Sequence, residues 1–202
     1  MKATQTLPAG LIRGGRFDLT SKPIVLILMN VIGFGLLALS GALFHALITA
    51  LRPDYTNSLT ISGLGGAFSL LLALVAVTVI MLVVHEGIHG LFFWVFTRSR
   101  PRFAFKGWYA YAAAPGWYIP VPQYLVVGLA PAVLMTLIGA LLIPILPVKL
   151  LFPLLLLVAF NISGAVGDLW VVFWLLLRPR GSYTLDFGDA VEVYVPATAE
   201  EA

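Results

Sequence analysis

The chain has 202 residues, 60% hydrophobic and 10% charged, with a mean hydropathy of +1.00. A soluble domain is usually about 45–50% apolar and about 25% charged, so an ordinary soluble globule is excluded and membrane spans are indicated. The lack of cysteine excludes disulfides, thiolate metal sites and cysteine nucleophiles, and the net charge of +3 reads as membrane topology, not as a nucleic-acid face.

Taken in chain order, four apolar runs are long enough to cross a bilayer. The first runs from about Ile24 to Leu51, with Pro23 well placed at a helix start. It is about twice as long as a signal-peptide core and is expected to stay as an anchor. The second runs from about Ala67 to Phe96. The stretch Phe103 to Gln123 is rich in aromatics and bounded by prolines, which suggests a hairpin or a re-entrant loop at the interface. The third run spans about Tyr124 to Leu146 and the fourth about Leu150 to Leu177, separated only by Pro147, Val148 and Lys149, so they are expected to form a tight antiparallel pair. Tyr183 to Val195 alternates, breaks at Gly188-Asp189 and resumes, as a hairpin does. The expected fold is an all-α integral membrane protein. It would have four transmembrane helices, a small cytosolic β-hairpin and a re-entrant or edge-strand loop. Residues 1–180 would form the membrane domain and 181–202 the tail.

Lys and Arg set the orientation. The N-terminal segment carries Lys2, Arg13, Arg16 and Lys22, the loop after the second run Arg98, Arg100, Arg102 and Lys106, and the tail Arg178 and Arg180. The other two loops carry Arg52 and Lys149 alone. Both termini and the 98–123 loop are therefore expected in the cytosol of a multi-pass cell-membrane protein.

Among the acidic residues only Glu86 and Asp168 fall inside the four runs, and no Lys or Arg does. A charge at bilayer depth costs on the order of 3 kcal/mol or more and marks a functional site by default. Glu86 belongs to HEGIHG, residues 85–90, which holds two of the three histidines. Positions i and i+4 share a helix face, so His85 and His89 can point a ring nitrogen at one metal. Glu86 stands about 100° further round, where it can reach a water without ligating the metal. This is the H-E-x-x-H zinc arrangement with glutamate as general base. Chance supplies such a match on the order of one time in a thousand, and burial cost lowers that further.

Catalytic zinc usually takes three protein ligands. Asp168 is the candidate third. The histidine pair lies roughly 16 Å along a helix from Arg98, and Asp168 roughly 15 Å from Arg178, so both fall at one level. The competing reading of Asp168 is a polar helix–helix contact. His45 lies roughly 30 Å from the cytosolic end of its run and is excluded as a ligand. Asn161, seven residues before Asp168, would hold a substrate carbonyl or an oxyanion, or serve as interhelical glue. Ser163, Gly164, Ala165 and Gly167 on one run, and Gly87 and Gly90 on the other, are small enough to let helices approach closely.

HEGIHG on an early run and N-x-S-G-A-x-G-D on the last resemble the putative zincin peptidase family of membrane proteins. These in turn resemble site-2 proteases, the intramembrane zinc metalloproteases. The resemblance implies that His85, His89 and Asp168 hold Zn2+ and that Glu86 is the catalytic base. The match departs from the site-2 pattern of Asn, Pro and Leu-Asp-Gly, because Asp168 is preceded by Gly167, followed by Leu169, and no proline lies between Asn161 and Asp168. No PDZ domain is expected within these 202 residues.

The expected function is intramembrane zinc metalloproteolysis of membrane-embedded or membrane-adjacent protein substrates, with the lipid bilayer as the medium and no nucleic-acid partner. The competing class is a non-catalytic metal-binding membrane protein, a carrier or a scaffold for membrane segments. Glu86, beside the ligand pair and off its face, favours the enzyme.

Overall fold

A computed structural model describes residues 1–18, 23–56, 61–107 and 109–197. Lys22 and Trp108, used above for orientation and for the aromatic stretch, lie outside the described residues. The chain is mostly helical: α1 is Pro23–Leu51, α2 Gly63–Thr97, α3 Val121–Leu142, α4 Leu151–Gly164 and α5 Val166–Leu176. Three of these, α1, α2 and α3, are long and apolar enough to cross a membrane. The fourth run is not one straight helix: α4 and α5 are bent by 42° at Ala165, and the pair counts as a fourth span only if taken together. The small residues of Ser163-Gly164-Ala165-Val166-Gly167 are the local reason, because glycine weakens a helix and gives it room to turn.

The chain is not all-α: its described residues hold strands beyond the two hairpins that the sequence suggests. The strands are β1 (Leu11–Asp18), β2 (Arg102–Phe105), β3 (Ala110–Ala113), β4 (Tyr118–Pro120), β5 (Tyr183–Asp186) and β6 (Ala190–Pro196). The aromatic stretch is a hairpin, β2–β3, followed by β4. The tail hairpin β5–β6 is present, turning at Phe187–Asp189, where Gly188 has φ +95°. It does not stand alone: an antiparallel four-stranded sheet runs in the order β1-β6-β5-β4. β1 was not expected, and a bulge at Gly14 interrupts its register. A Cβ at Gly14 would stand 2.6 Å from Val195, so the bulge needs glycine there.

The chain divides into two compact units. Unit 1 comprises residues 1–29, 86–131 and 166–202, and unit 2 residues 30–85 and 132–165. Within unit 1, Phe93, Ile119, Tyr124, Val127, Val171, Leu175 and Val193 share one core. β4 runs into α3 with no loop. The Val121 N–H donates to the Ser182 carbonyl at 3.0 Å, and the Thr184 hydroxyl donates to the Ile119 carbonyl at 3.0 Å, so the tail hairpin braces the start of α3. Arg13 and Arg16 both pair with Glu192 across β1 and β6.

Within unit 2, Phe44, Ile48, Ile143, Leu151, Leu155 and Val158 form the core. Gly139 lets α3 meet α4, since a Cβ there would stand 2.7 Å from Val158. Arg52 donates to the carbonyls of Ile143 and Leu146 at 3.0 and 2.7 Å, closing the turns that follow α3, and is itself held by Asp54. The Ser163 hydroxyl donates to the Gly33 carbonyl on α1 at 2.9 Å. His45 lies edge-on to Tyr55 at 6.0 Å in this unit.

Candidate metal centre

Helix α2 carries the HEGIHG segment without a break. The run is long and apolar enough to cross a membrane, where a helix satisfies every backbone group internally, and this outweighs the weak helix propensity of its valines and of Gly87 and Gly90. His85 and His89 are both buried, at 6% and 7% exposure, which for a polar ring demands partners. Each has one at Nδ1. His89 Nδ1 lies 2.9 Å from the Val127 carbonyl on α3. His85 Nδ1 lies 2.9 Å from the Asn161 side-chain oxygen on α4.

A carbonyl oxygen only accepts, so the proton of the neutral His89 ring sits on Nδ1 and the lone pair on Nε2. His89 Nε2 lies 3.4 Å from an Asp168 carboxylate oxygen, which comes from the first turn of α5. His85 stands one turn earlier on the same helix. One ligand atom from each of His85, His89 and Asp168 lies within 4.8 Å of the others. Imidazole held at Nδ1 by a carbonyl or carboxamide is the usual outer shell of a metal-ligating histidine, and two imidazoles with one carboxylate suit zinc. The donor set therefore fits a metal ion.

Glu86 and Asp168 are only partly buried, unlike the histidines. Glu86 follows His85 on α2. Asn161 is fully buried, and its carboxamide oxygen is engaged with His85, a contact that orients a ring. His45 is not in the group found among the described residues.

The small residues do not act as expected on α2. A Cβ at Gly87 would meet nothing within 4 Å, and one at Gly90 would stand 2.4 Å from the Phe103 ring of β2. Gly90 thus seats the β2–β3 hairpin beside His89. Close approach to α5 is made from α3, where a Cβ at Gly128 would stand 2.9 Å from Val172 and 4.0 Å from the Asp168 carbonyl. Val127 and Gly128 were missed in the sequence because one acts through its main chain and the other through the absence of a side chain. The available signal was V-G-L-A-P, residues 127–131, a glycine and a proline inside an apolar run.

Beyond these contacts, α3 is tied to the sheet by a buried pair. The Tyr124 hydroxyl donates to Asp186 on β5, whose other oxygen accepts from the Gly188 N–H. Burial pushes the Asp186 carboxyl up to about 6, against the lowering effect of those two hydrogen bonds. Gly188 cannot carry a side chain, since a Cβ would stand 2.1 Å from the Tyr111 ring.

A family model described as Putative zincin peptidase matches residues 78–183, more than half of the 202-residue chain, and this stretch includes every residue of the His–His–Asp group. No curated protein matches, and no solved structure matches.

Proposed function

The chain belongs to the putative zincin peptidase family, and on that premise we propose that it is a site-2-protease-like intramembrane zinc metalloendopeptidase with His85, His89 and Asp168 as the ligands. The observation that carries this reading is the pair of Nδ1 contacts, which leaves the lone pair of His89 Nε2 beside Asp168, where it can ligate a metal. Zinc held there would supply Lewis acidity, polarising the scissile carbonyl and acidifying a water. Glu86, one residue off the ligand face, takes the proton of the attacking water and delivers it to the leaving amine. Asn161 orients His85, so that its contribution to the reaction runs through the ligand.

The substrate is a membrane-embedded or membrane-adjacent polypeptide, locally extended at the scissile bond because a helix hides its carbonyls in hydrogen bonds. β4 is paired with β5 on one side and bridged by Thr4 at Tyr118 on the other. The β2–β3 hairpin, seated on Gly90, is therefore the better edge for such a segment to join. Four spans with both termini cytosolic put the site in the cytosolic half of the bilayer, which gives water its route. A carrier or scaffold has no use for a carboxylate beside the ligand pair.

The test is cleavage of a transmembrane reporter by the chain reconstituted in liposomes. Wild type is expected to release a fragment that Glu86→Gln fails to release, with a loss of roughly 10²- to 10⁴-fold. Equal cleavage by both, or none by either under zinc-replete conditions across a panel of single-span substrates, would sink the peptidase reading.

A further inference from the structure

Helix α3 contains a proline, Pro131, in its interior. In an α-helix the N–H of residue 131 would donate to the carbonyl of residue 127. Proline has no N–H, and its ring crowds the carbonyl four residues back. Val127 is that residue, and it is 2% exposed, so water cannot supply the missing donor. The donor is His89, whose Nδ1 lies 2.9 Å from this carbonyl.

We propose that Pro131 is a positioning residue of the metal centre: by leaving the Val127 carbonyl without its helical donor, it creates the buried acceptor that fixes the proton and the plane of the His89 ring. Two needs meet in one bond. A buried carbonyl left unpaired is costly, and a ligating histidine must carry its proton on the nitrogen away from the metal. Gly128, the next residue, admits Val172 against α3 close to the Asp168 backbone. The segment 127–131 thereby adjusts both His89 and the helix that carries Asp168. The inference rests on the metal reading above.

The test uses the full chain in detergent, with Pro131→Ala, which restores the N–H and sets it in competition for Val127. Two quantities are read: zinc affinity by competition with a chelator, and the ring nitrogens of ¹⁵N-labelled histidine in metal-free protein, at a pH where the ring is neutral. Three histidines make the spectrum assignable with single variants. Pro131→Ala is expected to melt no lower than wild type, since alanine suits a helix better. It should bind zinc roughly 10- to 100-fold more weakly and lose the Nδ1–H form of His89. Pro153→Ala, in the first turn of α4 where proline displaces no helical bond, should change neither reading. An unchanged zinc affinity and an unchanged His89 ring in Pro131→Ala would overturn the proposal. Should that variant not fold, wild type alone decides: Nδ1–H at His89 supports the proposal and Nε2–H overturns it. A wild type that binds no zinc defeats the metal reading separately, because the ring measurement needs no metal.

Discussion

His85 and His89 sit one turn apart on α2, yet they are held by different means. His85 depends on a side chain, Asn161, and His89 on a main-chain carbonyl, Val127. The two should respond differently to mutation. Asn161→Ala removes the partner of a buried ring, and zinc affinity measured by chelator competition is expected to fall roughly 10- to 100-fold. Val127→Ala keeps its carbonyl and should leave that affinity within about threefold of wild type. This contrast also marks what the sequence makes legible at this scale. His85, Glu86, His89 and Asp168 can be read from the letters, because ionisable groups in an apolar run are costly enough to stand out. A carbonyl has no letter, so Val127 can be found only through Pro131, four residues on.

The start of α3 is tied to β5 by Val121, Thr184 and the buried Tyr124–Asp186 pair. Asp186 has its carboxyl raised to about 6 in the folded chain, chiefly by burial, above the ordinary 3.8. A group raised in the folded state contributes stability that is fully present below the ordinary value and is lost as pH rises through the folded one. Stability of the metal-free wild type relative to Asp186→Asn should therefore decline from about pH 4 to about pH 6, by on the order of 2 kcal/mol. Denaturant or thermal unfolding at several pH values checks it, and a constant difference across that range would contradict it. The hairpin Tyr183–Val195 was visible as alternation broken by Gly188-Asp189. β1 was not, because LIRGGRFD has adjacent glycines, a bulge and no clean alternation. The bend between α4 and α5 also escaped, since hydropathy measures length and cannot see a 42° turn at Ala165.

At the scale of the molecule, the apolar runs were legible because a helix crossing lipid must be apolar over its whole length. The four-stranded sheet was not, because it joins segments near residues 11, 118 and 183 that lie far apart in the sequence. The Lys and Arg distribution yields a testable orientation. The chain has no cysteine, so single-cysteine variants carry no background. Cysteine at Lys106 or Arg180 should be shielded from an impermeant thiol reagent applied outside intact cells, and cysteine at Asp54 should be labelled. The opposite pattern would invert the topology and with it the side from which water reaches the site.

If HEGIHG and Asp168 together hold one metal ion, the metal content of the purified chain reveals it. Wild type and Glu86→Gln are expected to hold about one zinc each, while His85→Ala, His89→Ala and Asp168→Ala lose it. A wild type without metal, or an Asp168→Ala variant that binds as wild type does, would contradict the three-ligand centre.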